Sequence, residues 1–286
     1  MEEEKYFVRV LPMSSGSMAA DGGYLFINSR EEYEDFIKRE PKAKKFIKRF
    51  IGGDEFINNI ERWCLWLVDA NPQELHDMKH VMERVEAVKK FRLESKREAT
   101  KKRAETPWLF AEIRQPTGTY IAIPKTSSEN RYYIPMGYLD DSVIPGDALR
   151  IIPGGGLYQF GVLMSRVHMA WVRVVAGRLK SDYRYSNTVV YNNFPWPFVT
   201  DSERARISST AQKILDARAL YPESSLASLY NDSTMPPELR KAHRENDIAV
   251  CEAYCFDKNV PEEDILPRLF WLYEAYTDCV LSDVRD

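Results

Sequence analysis

At 286 residues and 44% hydrophobic content, the chain is long enough to bury one large core or a main domain with an appendage. No apolar run approaches the roughly 18 residues that a membrane span needs, and the opening MEEEKYFVRV lacks the basic and apolar regions of a secretory signal, so a cytoplasmic protein with no membrane partner is expected. The net charge of -3 hides an asymmetry: of 40 Lys and Arg and 43 Asp and Glu, residues 201–286 hold 10 and 17, which confines the acidic character to the tail.

In chain order, LPMSSGSMAADGGYLFINS predicts a loop feeding a strand at Tyr24–Ile27, and REEYEDF then opens a short helix over 30–39. Pro41 predicts the start of a second helix, with Phe46, Ile47 and Phe50 on one face and an end at Gly52-Gly53. RWCLWLVDA (62–70) reads as a buried strand. From Lys79 to about Lys102, the spacing of Val81, Val85, Val88, Phe91 and Leu93 predicts one long amphipathic helix. Residues 79–103 also carry ten basic and four acidic side chains, a density suited to a polyanion but common on solvated helices.

After Pro107 the period changes to two, predicting strands at 120–124, 131–135 and 148–153. Leu157–Ala176 then reads as a single helix stopped by Gly177, GRLKSDYRYSN as a loop, and TVVYNNFPWP as a short strand with a proline-rich exit. An all-helical tail follows from DSERARISSTAQKILDARALY. The fold class is α+β, a mixed small-sheet domain over 1–198 and a helical domain over 199–286.

Catalytic signatures are weak. Gly154-Gly155-Gly156 lacks the order of a phosphate-binding loop, and HDMKH, with His76 and His80, lacks the glutamate of an HExxH site. Cys64, Cys251, Cys255 and Cys279 lie in apolar segments and read as reduced core thiols. Asp140 and Asp141 could hold Mg²⁺ in a nuclease, but a turn or cap role suits them better without a further acidic residue and lysine nearby. No catalytic residue and no metal site is assigned.

The segment Ser165–Asn193 stands apart, because it interleaves Arg166, Arg173, Arg178, Lys180 and Arg184 with Trp171, Tyr183, Tyr185 and Tyr191 and several hydroxyl and amide side chains. Such a mixture suits DNA: cations neutralise phosphate or donate to guanine edges, and Tyr and Ser add phosphate and sugar contacts. Phosphate-backbone contacts are assigned to Lys89 and Lys90 on the long helix and to Arg166, Arg173, Arg178, Ser181, Tyr183 and Tyr185. The plainer alternative, buried aromatics with merely exposed charges, is about equally supported by the residues alone.

SRVHMAWVRVVAGRLKSDYRYSNTVVYNNFPWP resembles the target-recognition domain of the MmeI-like family of bacterial restriction-modification enzymes. PMSSGSMAADGG, FIGGDEFINNIERWCLWLVDA, RVEAVKKFRLESKREATKKRAETP and YYIPMGYL extend the likeness, and TMPPELRKAHRENDIAVCEAY resembles the helical tail of such methyltransferases. The resemblance implies a module that binds duplex DNA and performs no chemistry itself, serving a methyltransferase domain of the same parent chain, with Met1 an internal start in a longer architecture. It implies no cofactor here, and S-adenosylmethionine and Mg²⁺ for a parent that methylates adenine and cleaves DNA.

The resemblance also implies base-reading residues. Ala148 with Arg184 would tolerate either purine, since both offer an N7 acceptor and alanine cannot test the exocyclic group. Lys180 and Asp182 resemble the version of a two-residue switch that reads G·C, the alternative being a surface ion pair worth well under about 1 kcal/mol. Two rival functions are a Mg²⁺-dependent nuclease built on Asp140 and Asp141, and a protein-interaction scaffold using the acidic tail.

Overall fold

A computed structural model describes residues 10–283, so the opening MEEEKYFVR lies outside the described residues, as does the side chain of Cys279. The chain divides into two compact units. The first comprises the N-terminus to Ser14, Thr119–Tyr138 and Ile152 to the C-terminus; the second comprises Ser15–Gly118 and Leu139–Ile151. These units cut across position 198, because the tail helices share a unit with the segment Ser165–Asn193. The composition is α+β, with small sheets before residue 199 and four helices after it: Asp201–Ala219, Leu226–Leu229, Pro237–Ala253 and Glu262–Asp283.

In the second unit a four-stranded sheet runs in the order Phe26–Ile27, Trp63–Leu65, Ile47–Ile51, Val143–Pro145, the last pairing parallel and the others antiparallel. The helix expected from Pro41 is a 3-10 turn over Pro41–Phe46, and Ile47 turns extended at φ -85 to begin a strand. Pairing with two distant segments overrides the local helical spacing there. Phe26, Phe50, Trp66 and Phe110 pack edge to face or tilted in the core beneath, with ring centroids 4.7 to 6.5 Å apart.

The long basic helix ends at Leu93, and a short helix, Glu98–Lys102, follows. Val81, Val85 and Val88 are buried as expected, whereas Phe91 and Leu93 are exposed, because Arg92 takes the inward position four residues after Val88. Arg92 is fully buried. Its five guanidinium N–H groups meet five carbonyl oxygens: Ala19 at 2.9 Å, Ala20 at 3.0 Å, Arg103 at 2.8 Å, Thr106 at 3.0 Å and Leu109 at 2.7 Å. Burial pulls its pKa below the usual arginine range, and the Asp21 charge opposes that shift.

In the first unit the helix expected over 157–176 is two helices, Leu157–Leu163 and Arg166–Val175. Ser165 is extended at φ -100 and ψ 159, and its hydroxyl accepts from the His168 N–H at 3.2 Å, which starts a new helix where the apolar pattern alone runs on. Gly161 lets the tail approach: a Cβ there would lie 2.8 Å from Ile207 Cγ2 and 3.1 Å from Ala211 Cβ. The Asn246 amide donates to the Gly161 carbonyl at 2.8 Å and accepts from the Thr210 hydroxyl at 3.0 Å. The tail begins with a capping box, in which Thr200 accepts from the Glu203 N–H and Glu203 from the Thr200 N–H.

Three more local expectations change. Strands form at Tyr120–Pro124 and Leu149–Pro153, but 131–135 joins no ladder; the flanking strands are Thr126–Ser127 and Gly137–Leu139. TVVYNN is a π-helical turn over Asn187–Tyr191 rather than a strand. Cys64 and Cys251 are buried thiols, whereas Cys255 is exposed at φ 59 where helix Pro237–Ala253 ends, so the core assignment does not hold for it.

Replacing Arg92 by Met removes the five donors and leaves the Ala20 and Leu109 carbonyls without one among the described residues, whereas those of Ala19, Arg103 and Thr106 keep a backbone N–H. The expected cost is about 3–5 kcal/mol in urea denaturation. A variant within about 1 kcal/mol of the parent would show that those carbonyls find other partners.

Candidate nucleic-acid interface

GRLKSDYRYS, expected as a loop, is a β-hairpin. Gly177–Leu179 pairs antiparallel with Asp182–Arg184, and the second strand pairs with Thr126–Ser127. The register joins Gly177 to Arg184, Arg178 to Tyr183 and Leu179 to Asp182. Lys180 and Ser181 form the turn, with Lys180 in the left-handed region at φ 55.

A strand's side chains alternate between faces, so each residue's burial fixes its neighbours' exposure. Tyr183 and Tyr185 are buried at 5% and 0% exposure, which turns Asp182 and Arg184 to the opposite, outer face. Arg184, Lys180 and Ser181 are exposed and Asp182 is half-buried. Among the described residues Lys180 and Asp182 form no ion pair with each other; the nearby pairs are Arg178 with Glu129 at 3.9 Å and Arg173 with Glu262 at 2.6 Å. Arg131 is a half-buried guanidinium whose pKa falls through burial, while the Asp182 charge opposes the fall.

On the inner face the Tyr185 hydroxyl lies 2.9 Å from His168 Nε2, and its N–H donates to the Lys125 carbonyl at 2.8 Å. His168 is completely buried, which lowers its pKa to about 3 and keeps the ring neutral. Trp171 donates its indole N–H to the Val190 carbonyl at 3.0 Å, and the Tyr191 hydroxyl donates to the Leu11 carbonyl at 2.8 Å. The aromatic residues of this segment are core.

The phosphate-contact candidates therefore separate. Tyr185 has no exposed surface, and Tyr183 lies beneath the Arg178 guanidinium at 4.0 Å, so burial takes both away from a phosphate. Arg166 donates its guanidinium to the Val260 carbonyl at 2.5 Å and its N–H to Asp247 at 2.7 Å. Arg173 holds Glu262 and the Tyr132 carbonyl, tying its helix to the tail. Arg178 donates to the Ser181 carbonyl at 2.9 Å, closing the turn, yet is itself exposed.

In the second unit Lys89 and Lys90 are exposed on helix Lys79–Leu93, and Arg92, counted in the same basic run, is inside. Ala148 is exposed in the turn Gly146–Leu149. That turn is set by a close backbone contact: a Cβ on Gly16 would lie 2.3 Å from the Gly146 carbonyl oxygen, and Gly16 N–H donates to the Leu149 carbonyl at 3.1 Å. The strand Leu149–Pro153 then continues into the other unit.

Asp140 accepts from the Ser142 N–H at 2.9 Å and Asp141 from the Gly118 N–H at 2.9 Å, so both carboxylates serve turns. Among the described residues no group of three or more His, Cys, Asp or Glu side chains could hold a metal ion, and Gly156 caps helix Leu157–Leu163. Several tail carboxylates are spoken for: Glu262 by Arg173, Glu252 by Arg206 and Glu245 by Lys213. Sequence reasoning missed Arg131, assigned to a strand, and the hairpin itself, although Asp182-Tyr183-Arg184-Tyr185 alternates polar with aromatic residues.

Residues 1–198 match the family described as MmeI, target recognition domain, and residues 199–281 match MmeI, C-terminal domain. DNA methyltransferase A of Bacillus subtilis (strain 168) is 40% identical over 263 residues, covering 92% of this chain and 30% of that protein. The type IIL restriction-modification enzyme MmeI, solved in complex with DNA, superposes with a TM-score of 0.92 at 43% identity over 94% of this chain and 36% of its own. The chain thus spans about a third of the length of these relatives.

Changing Tyr185 to Phe leaves His168 Nε2 without its partner. Stability should fall by about 1–3 kcal/mol at pH 8, where His168 is neutral folded and almost wholly neutral unfolded, with no change in the salt dependence of duplex binding. Unchanged stability with a shallower salt slope would return Tyr185 to a phosphate-contact role.

Proposed function

The chain belongs to the MmeI family of restriction-modification enzymes, spanning its target recognition domain and C-terminal domain, and on that premise we propose that it reads a specific duplex DNA sequence for a larger enzyme. That enzyme would methylate adenine with S-adenosylmethionine and cut DNA with Mg²⁺, using domains in the rest of the parent chain. Asp140 and Asp141 accept from turn N–H groups, and among the described residues no group of three or more His, Cys, Asp or Glu side chains could hold a metal ion. The role of this chain is to bind and orient the duplex, so that a companion domain meets an adenine flipped from the stack.

The observation that carries the proposal is the hairpin, where Asp182 and Arg184 project on the outer face and Lys180 is exposed at the turn, all on a scaffold pinned by buried tyrosines. A two-stranded ribbon fits the major groove, and this face offers donors and an acceptor. Lys180 donates to O6 and N7 of guanine, Asp182 accepts from N4 of the paired cytosine, and Arg184 donates to a purine N7. Ala148, exposed in its own turn, is a base-reading candidate on the family resemblance alone. Arg178 and Ser181 contact the phosphate backbone beside the hairpin, while Arg166 and Arg173 position the helix that precedes it.

Exchanging the pair, Lys180→Glu with Asp182→Arg, should move the preference at one base pair from G·C to C·G, each wrong pair costing roughly 1–3 kcal/mol. Competition binding against duplexes that differ only at that pair measures it. An unchanged preference, or loss of binding without a switch, would remove both residues from the reading role.

Lys89 and Lys90 carry part of the sequence-independent share of binding. Replacing both by Ala should weaken all duplexes by a similar factor and reduce the salt slope by about 2. Loss confined to the preferred sequence would make them readers instead.

A further inference from the structure

We propose that Leu179 is a further base-edge contact, seating its side chain on the 5-methyl group of a thymine in the base pair flanking the one met by Lys180 and Asp182. The inference rests on the DNA-reading assignment of the hairpin and adds an apolar member to its polar contacts. Leu179 is 56% exposed and is the direct cross-strand partner of Asp182. Directly opposed residues of an antiparallel pair project on one face, so Leu179 stands beside Asp182 on the outer side, away from Arg178 and Tyr183.

Packing gives this leucine no other employment. It belongs to neither hydrophobic core and is absent from the partly buried side chains that pack against them. Beyond it on the same strand is Gly177, where a Cβ would meet nothing within 4 Å, so the outer face is open to an approaching surface. A lone exposed leucine is ordinary on a protein surface. This one lies within the row of side chains that the hairpin directs at the groove, and the chemistry there is restrictive.

Base edges in the major groove carry donors, acceptors and one kind of apolar group, the thymine methyl. An isobutyl group among an ammonium, a carboxylate and a guanidinium therefore has one matching feature to meet. Cross-strand Cβ atoms are about 5 Å apart, against about 3.4 Å between successive base pairs. A side chain one cross-strand step from Asp182 thus falls over the neighbouring pair rather than the same one.

Selection of bound sequences from randomised duplexes by the 286-residue chain provides the test, run in parallel on the unaltered chain, Leu179→Ala, Leu179→Met, and Lys180→Glu with Asp182→Arg. The double variant locates the switched base pair; thymine preference is expected at one flanking position in the unaltered chain and in Leu179→Met, and is lost in Leu179→Ala with other positions unchanged. Replacing that thymine by uracil should weaken the unaltered chain about fourfold, the worth of one buried methyl, and leave Leu179→Ala indifferent. Thymine preference that survives Leu179→Ala, or no thymine preference at either flank, overturns the role of Leu179 while the polar readers stand. If the unaltered chain selects no sequence at all, the DNA-reading assignment falls and this contact falls with it. Leu179 is exposed and outside both cores, so its truncation leaves folding intact and a null result interpretable.

Discussion

The 2.9 Å contact between the Tyr185 hydroxyl and His168 Nε2 sits where strand alternation meets the core of the first unit. A fully buried phenol and a fully buried imidazole would each carry a desolvation cost of about 1–3 kcal/mol without the other. Their bond fixes which face of residues 182–185 turns inward, and a slip of one position would expose Tyr183 and Tyr185 and bury Arg184. The sheet pairing of Tyr183 with Ser127 and Arg184 with Thr126 adds a second lock. The outward set of side chains is thus decided by the inward one, so a reader's chemistry can be exchanged at the outer positions without disturbing what holds the hairpin.

Arg92 organises the second unit by a comparable principle with the charge reversed in meaning. A guanidinium normally signals surface or anion, and by count it belongs to the basic run 79–103. Here it is buried, with all five N–H groups on carbonyls from the segments 19–20 and 103–109. Backbone N–H groups reach the Ala19, Arg103 and Thr106 carbonyls, so the guanidinium adds a second donor there and supplies the donor for Ala20 and Leu109. The chemistry favours arginine over lysine, since only a planar fork reaches five acceptors at fixed geometry. Exposed charge on the helix is carried by its neighbours Lys89 and Lys90.

The sequence was legible where local signals and tertiary demands agree. The strand at Trp63–Leu65, the strand at Tyr120–Pro124, the buried valines of helix Lys79–Leu93 and the tail begun by Thr200 and Glu203 follow from period and capping chemistry. It was illegible where distant pairing decides, as at Ile47–Ile51, which has helical spacing yet adds to a sheet between Trp63–Leu65 and Val143–Pro145. Ser165 shows a different failure: the apolar period runs through it, and only its hydroxyl's competition for the His168 N–H breaks the helix. At the candidate site the residue types pointed to DNA, but burial divides them, and no count of arginines and tyrosines distinguishes Arg166, bonded to Val260, from Arg184 on the open face.

The turn of the hairpin bears on whether its outer side chains are placed for use. Two-residue hairpin turns favour glycine, asparagine or aspartate at positions of positive φ, and a residue with a longer side chain held there costs ~1–2 kcal/mol. Lys180 occupies such a position at φ 55, with no ion pair or hydrogen bond to Asp182 among the described residues that would compensate. The same conformation places Lys180 at the tip of the ribbon, the part that the proposed docking brings to a groove first. Under the proposed function, a partner outside the chain offsets that strain. Asp182 follows two residues later on the outer face, so an acid and a base stand in one short stretch without pairing with each other, which is what the proposed reading of the two halves of one base pair requires.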